Sequence, residues 1–274
     1  MHRFFISPAT ISKQQFHSTD KELCHQVSKV LKTQAGKKVV LCDNSEQEYE
    51  AEWTTVSRSV CEAKIVEKRD VPDISSEKEV HLLVALLKNQ NRWELILEKG
   101  TEIGVAGFTP LITERTEVES LRKLDRLERI VKEAAEQSGR TKLPVINEVL
   151  RFEDLFGEDG SVILSSSTPP SDPRVAGQRK KPSAPGTGYP SPLNLIPTLH
   201  EHSQTLSKVL NSPNWTNSPK RPLRIFIGPA GGFTEEEVQM TIEHNFYSIS
   251  LGRQVLRSET AALVAAYQCL SGCF

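Results

Sequence analysis

The run "VHLLVALLK" at residues 80–88 places the tightest limit on what this chain can fold into. Apolar residues stand there at consecutive positions, so both faces of an extended segment are hydrophobic, and such a strand is stable only in a sheet covered on both sides. That requirement calls for helices packed above and below parallel strands. The sequence after it supplies them. "RWELILEKGTEIGV" spaces Trp93, Ile96, Leu97, Gly100 and Ile103 on one helical face, and "FTPLIT" reads as the next strand. "SLRKLDRLERIVKEAAEQSGR" then carries Leu121, Leu124, Leu127, Ile130, Val131, Ala134 and Ala135 along one stripe, with Ser120 as cap and Gly139 near the end. "LPVINEV", "SVILS", "LRIFI" and "YSISL" read as further strands, with helices after the last two. The alternation predicts an α/β domain with a mostly parallel sheet over residues 73–274.

Residues 1–72 follow another pattern. In "DKELCHQVSKVLK", Leu23, Val27, Val30 and Leu31 share a helical face and Asp20 is the expected N-cap. "VVLCD", "YEAEWTTV" and "VCEAKIVEK" read as strands, with "DNSEQ" turning between the first two, which predicts a small β-barrel or β-sheet module. Polar "RDVPDISSEKE" separates it from the α/β domain. Between Ser165 and Pro222 lie eleven of the chain's sixteen prolines, so an insertion, largely disordered, is expected there, with a helix-like piece at "LHEHSQTLSKVL". Seven basic residues against two acidic ones in this segment suit either a solvated insertion or an arm that grazes RNA.

Composition narrows the function class only a little. A formal net charge of -1 over 274 residues gives no global electrostatic reason to bind nucleic acid. The five cysteines form no CxxC pair and stand far from any histidine at zinc-finger spacing, so they read as free thiols with no metal. "MHRFFISPAT" lacks the layout of a signal peptide, and no apolar run approaches the roughly 20 residues needed to span a bilayer. The expectation is a cytoplasmic protein without a membrane partner.

Chemistry concentrates near the C-terminus. In "RIFIGPAGGFTEEEV" an apolar strand runs into Gly228-Pro229-Ala230-Gly231-Gly232, and Thr234 with Glu237 forms a capping box that opens a helix. The loop lacks the Lys-Ser/Thr pair of a Walker motif and the GxGxxG spacing of a dinucleotide fold, which disfavours a nucleotide hydrolase. Three glutamates at the helix start would repel a polyphosphate, so a neutral or cationic ligand is expected. On this segment alone, a turn that merely joins strand to helix accounts for the glycines equally well. "YSISLGRQVLRSETAALVAAYQCL" repeats the layout, with a strand, a glycine turn at Gly252, an irregular piece and a helix apolar on every side. Ligands bind outside the carboxyl ends of strands in α/β sheets, so the two loops are expected to meet there. Arg257 and Glu259 stand at the head of that last helix, where an ion pair and a functional pair are equally open readings.

Together "IGPAGGFTEEEV", "SLGRQVLRSETAALVA", "LEKGTEIGV", "PLITERTEV", "EAAEQSGR" and the opening "HRFFI" resemble the RsmE family of small-subunit ribosomal RNA uridine-N3 methyltransferases in the SPOUT superfamily. The resemblance covers nearly the whole chain outside 165–222. It implies a PUA-like RNA-binding barrel followed by a SPOUT domain whose C-terminal segment forms a trefoil knot. It also implies S-adenosylmethionine as cofactor, a homodimer, and ribosomal RNA or the assembled small subunit as partner. The family's cofactor positions fall on Leu164, Gly228, Pro229, Gly231, Gly232, Leu251, Gly252, Leu256, Arg257, Ser258, Thr260 and Ala261. Arg257 is expected to stabilise a uridinate, with Glu259 orienting it or acting as base through water. Arg3, Lys29, Lys32, Arg115, Gln137 and Arg140 are expected to face RNA, the target base or the dimer partner. Two positions depart from the family pattern: Ala230 replaces a Glu of the glycine loop, and Gln254 replaces an Arg. These departures leave room for a non-catalytic RNA-binding or ribosome-assembly protein, although retention of "LRSETA" favours the enzyme.

Overall fold

The computed structural model describes residues 1–157, 162, 192–198, 203–212 and 221–271. The chain divides into two compact units, one of Met1–Ser76 with Lys132–Leu143, the other of Glu77–Val131 with Pro144–Phe274.

In the first unit, β1 (His2–Phe5), β2 (Ile11–Ser12), β3 (Gln15–Ser18), β4 (Lys38–Cys42), β5 (Gln47–Val56) and β6 (Cys61–Asp70) form a sheet in the order β1-β4-β5-β6-β3-β2. Alternation in β5 puts Tyr49, Ala51 and Trp53 into a core with Phe4, Phe16, Leu41 and Ala63, leaving Glu52 and Thr54 exposed. The helix expected over residues 20–32 is shorter and bent. Asp20 does cap α1 (Lys21–His25), accepting from the Leu23 N–H at 2.9 Å. The chain then widens into a π turn over Gln26–Val30, where the Leu31 N–H donates to the Gln26 carbonyl at 2.9 Å. One extra residue per turn rotates the side chains beyond it, so Leu23 and Val27 are buried while Val30 faces out, 64% exposed.

A short helix α2 (Ile74–Glu77) leads into the second unit, whose described elements are β7 (Val80–Ala85), α3 (Gln90–Ile103), β8 (Gly107–Ile112), the first half of α4 (Leu124–Ser138), which from Lys132 onward belongs to the first unit, β9 (Val145–Ile146), β10 (Leu150–Arg151), β11 (Leu193–Pro197), β12 (Gln204–Thr205), α5 (Leu206–Leu210), β13 (Leu223–Ile227), α6 (Glu235–Glu243), β14 (Tyr247–Ser250) and α7 (Ser258–Ser271). Its strands pair in parallel in the order β10-β8-β7-β13-β11-β14-β12, with β9 also beside β8. β7 is covered on both faces, as its composition demands. Val80, Leu82 and Val84 share one core with Trp93, Ile96 and Leu97 of α3 and Ala262, Ala265 and Ala266 of α7. Leu83 belongs to a second core with Phe152, Leu155, Phe226 and Phe246. Among the described residues no helix is long and apolar enough to cross a membrane.

Several expectations change here. α4 starts at Leu124, after Lys123 in a left-handed conformation (φ 55°), so Ser120 is no cap and Leu124 is 49% exposed. "LPVINEV" splits into the short β9 and the region before β10, and "SVILS" lies outside the described residues except for Val162, which bridges Phe156. The main correction concerns 165–222: "LNLIP" within it is β11, paired with β13 on one side and β14 on the other, with Leu193, Leu195 and Ile196 buried. Flanking prolines disguised a five-residue apolar strand as linker. Of the expected helical piece, the described residues form α5, capped by Thr205, while 199–202 lie outside them. Finally, α7 is not buried all round, since Tyr267 is 57% exposed.

Candidate functional site

Three neighbouring strands, β13, β11 and β14, end on the same edge of the sheet, and the chain leaving each of them lines an open cavity of about 390 Å³. β13 contributes Ile227 and the loop from Gly228 to Phe233, β11 contributes Pro197 and Thr198, and β14 contributes Leu251 and Gly252. Gln254, Val255, Leu256, Ser258 and Ala261 close the cavity from the head of α7, and Val238 from α6. The volume is within the range of about 300–1,000 Å³ usual for small-molecule sites.

Local chemistry explains the shape. Gly228 has no space for a side chain, because a Cβ there would stand 3.1 Å from the Phe233 ring and 3.2 Å from the Gly232 carbonyl carbon. Gly252 turns the chain at φ 122°, a conformation that strains any residue with a Cβ. The Ser258 hydroxyl donates to the Gly228 carbonyl at 2.8 Å, tying the head of α7 to the glycine loop. The capping box of α6 is complete: the Glu237 N–H donates to Thr234 Oγ1 at 3.2 Å and the Thr234 N–H to Glu237 Oε2 at 2.9 Å.

Of the positions singled out for the cofactor, the cavity wall contains Gly228, Pro229, Gly231, Gly232, Leu251, Gly252, Leu256, Ser258 and Ala261. Arg257 and Thr260 stand beside it without lining it, and Leu164 lies outside the described residues. The acidic loop inferred from three glutamates is corrected: among the described residues no carboxylate lines the cavity. Glu235 and Glu236 are exposed, and Glu237 is buried, with Oε1 accepting from the Glu114 N–H at 2.9 Å. A cationic ligand would therefore meet neutral walls and peptide dipoles there. Both departures from the family pattern, Ala230 and Gln254, sit on this wall.

The structure does not join Arg257 to Glu259. Arg257 is exposed, and its guanidinium makes no hydrogen bond or ion pair with a described residue. Glu259 is buried, with Oε1 3.6 Å from Arg92 Nε and Oε2 without a partner. Helical geometry explains why, since residues two apart point to different sides of a helix.

The expected RNA-facing residues separate into two groups. Lys29, Lys32 and Gln137 are exposed. Arg3 is paired with Glu48 at 2.6 Å, and Arg140, 5% exposed, is paired with Asp73 at 2.8 Å. Arg115 is exposed but donates from Nη1 to the carbonyls of Gly231 and Phe233. Sequence reasoning missed Pro197 and Thr198 on the cavity wall because their strand was hidden among prolines. The alternation Leu193, Leu195 with Ile196 was the signal that could have found it.

A model of the RNA methyltransferase domain matches residues 75–168 and 189–269, leaving the middle of the proline-rich segment unmatched. The ribosomal RNA small subunit methyltransferase E of Synechocystis is 30% identical over 97% of this chain and 76% of its own length. This chain belongs to the ribosomal RNA small subunit methyltransferase E family. The Bacillus subtilis member is 27% identical over 97% of this chain and 94% of its own length. A Legionella pneumophila protein solved in complex with the cofactor SAM superposes with a TM-score of 0.73 at 26% identity, covering 98% of this chain and 97% of that one. The family's Neisseria gonorrhoeae member, bound to S-adenosylmethionine, gives 0.73 at 24% identity with 98% of each chain covered, a likeness of fold.

Proposed function

We propose that this chain is an S-adenosylmethionine-dependent methyltransferase that acts on N3 of a uridine in small-subunit ribosomal RNA. The observation that carries the reading is the cavity where two glycine loops and the head of α7 meet, inside the stretch that matches the RNA methyltransferase domain. Its residues fit the cofactor: the described wall carries no charged side chain and is rich in backbone groups, and Gly228 and Gly252 let the chain turn close to a ligand. Gly228, Pro229, Gly231, Gly232, Leu251, Gly252, Leu256, Ser258 and Ala261 would hold it. When bound, the cofactor supplies an electrophilic methyl group on a sulfonium.

The remaining work belongs to the protein. N3 of uridine must lose its proton for its lone pair to attack, and the resulting charge spreads onto the neighbouring carbonyl oxygens. Arg257, without a partner among the described residues and at the cavity's rim, is a guanidinium available to stabilise that charge. Glu259 Oε2, buried without a described partner, is an acceptor available to hold the departing proton through water, while Arg92 balances its charge. A base modified on its Watson–Crick edge must be unpaired or flipped out, so exposed loops of small-subunit RNA, free or assembled, are the expected substrate.

Finer features agree with the same reading. The order β7-β13-β11-β14, in which β13 enters between strands that precede it in the chain, supports a C-terminal trefoil knot. The six-stranded sheet of the first unit supports a PUA-like RNA-binding module, with Lys29 and Lys32 exposed for phosphate contact. An open apolar groove on α3 and α7 supports a homodimer. A ribosomal RNA substrate supports work in the cytoplasm.

Calorimetric titration tests the site: S-adenosylmethionine should bind saturably and ATP should not. With small-subunit RNA, methylation at N3 should block reverse transcription at the modified uridine. Arg257→Ala should keep donor affinity within about twofold and lower turnover on the order of a hundredfold, the scale of one lost charge-stabilising group. Wild-type turnover in that variant would remove Arg257 from the mechanism.

A further inference from the structure

We propose that Arg115 is a positioning residue of the methyl-donor loop and not a contact to RNA. The inference rests on the donor-site reading above and assigns a device that keeps the loop in shape. Arg115 lies in the turn after β8, which is closed on itself: the Thr116 N–H donates to the Thr113 carbonyl at 3.0 Å, and the Thr113 N–H to Thr116 Oγ1 at 3.0 Å. Next to Arg115, the Glu114 N–H donates to Glu237 Oε1 at 2.9 Å, so the turn is fastened to the start of α6. From this fixed base Arg115 Nη1 donates to the Gly231 carbonyl at 2.6 Å and to the Phe233 carbonyl at 3.3 Å.

The two carbonyls belong to peptide groups whose N–H ends are held as well. In the Gly231–Gly232 peptide, the Gly232 N–H donates to the Pro229 carbonyl at 2.9 Å. In the Phe233–Thr234 peptide, the Thr234 N–H donates to Glu237 Oε2 at 2.9 Å. Each plane is therefore gripped at both ends. The Gly232–Phe233 peptide between them bonds to no described residue at either its carbonyl or its N–H, and both residues line the cavity. Rigid neighbours hold that free peptide ready for a ligand, which lowers the cost of ordering the loop on binding. Gly231 belongs to the same device, because a Cβ on it would press to 3.2 Å from Arg115 Cδ. Arg115 itself does not line the cavity, so it acts through the loop.

The experiment compares wild type with Arg115→Ala and Arg115→Lys on the full chain. Titration with S-adenosylmethionine should show a roughly tenfold weaker Kd in Arg115→Ala, the scale of a lost charge-assisted hydrogen bond with its loop order. Arg115→Lys should recover part of it, since an ammonium keeps the charge and the donors but sits on a shorter, more flexible stem than the planar guanidinium. The donor KM should rise while kcat at saturating donor and the affinity for small-subunit RNA stay within twofold. Hydrogen exchange in the ligand-free protein supplies a readout that needs no donor: the Gly232 and Thr234 amides should exchange several-fold faster in Arg115→Ala. An unchanged exchange rate overturns the proposal, as does weakened RNA binding or a lower kcat with donor Kd intact. A wild-type protein that binds no donor, yet whose loop amides speed up in the variant, would sink the donor-site reading and leave the clamp standing.

Discussion

Arg140 and Asp73 lie buried together, 5% and 3% exposed, with Nη2 donating to Asp73 Oδ2 at 2.8 Å. The carboxylate also accepts from the N–H groups of Thr141 and Lys142 at 3.1 and 3.2 Å. Nothing local in the sequence announces this pair, because its members are 67 residues apart and an isolated arginine reads as a surface cation. The glycine loop was legible for the opposite reason: its capping box and its turn are made by residues within ten positions of one another. The buried pair has a pH signature. Burial pushes the Asp73 carboxyl up, but Arg140 and Ser75 outweigh it and hold the group down at about 2, against an ordinary 3.8. A carboxyl depressed in the folded state stabilises it fully above the unfolded value, and that contribution disappears as pH falls from about 4 through 2. The shift corresponds to about 2 kcal/mol. Urea unfolding at pH 7 should show Asp73→Asn less stable than wild type by at least this much, because Arg140 is left buried without its counter-charge. The gap should shrink as pH falls below 4. A gap independent of pH between 7 and 2.5 would mean that the pair's charge does not stabilise the fold.

At the scale of elements, four apolar runs were read correctly, one of them in spite of an internal proline, Pro110. β7, β8, β13 and β14 appear where consecutive or alternating apolar residues stand, because burial against helices on both sides selects such residues. The failure at β11 has a physical cause. Pro192 and Pro197 bracket the strand, and composition over a long window outweighed five residues whose sheet partners, Leu223–Ile225 and Tyr247–Ile249, lie far along the chain. β11 is nevertheless central, and Leu195 in it is fully buried. Leu195→Ala should lower stability by about 2–5 kcal/mol, the usual range for a buried leucine. Because Pro197 and Thr198 lead directly onto the cavity wall, donor affinity should fall with it. Chemical denaturation and titration on the same variant decide this. A loss below about 1 kcal/mol would mean that the strand is not an integral part of the core.

At the scale of the molecule, the described residues leave an apolar groove open on α3 and α7. Ile103 of α3 with Leu263, Val264 and Tyr267 of α7 lines a groove of about 530 Å³, with Lys99, Gln268 and Ser271 at its polar margin. This helix is apolar on every side, yet its buried residues are Ser258, Glu259, Ala262, Ala265, Ala266, Cys269 and Leu270. Small residues on the inner side let α7 lie close to the sheet, while on the outer side Leu263 and Val264 are only partly covered by the described residues and Tyr267 is exposed. A second copy of the chain is the occupant that the family resemblance names. An aromatic centre with a polar margin is the composition of a protein interface. Sedimentation of the wild type should therefore give twice the 30.6 kDa chain mass. Val264→Lys places a charge in the groove and should shift the species toward monomer at micromolar concentration, with circular dichroism unchanged. If the active site is completed across that interface, the monomeric variant should still bind S-adenosylmethionine but methylate small-subunit RNA poorly. A variant that stays dimeric would place the interface elsewhere on the chain. One that becomes monomeric with full turnover would show that each copy carries a complete site, with Arg257 and Glu259 of one chain sufficient for the reaction.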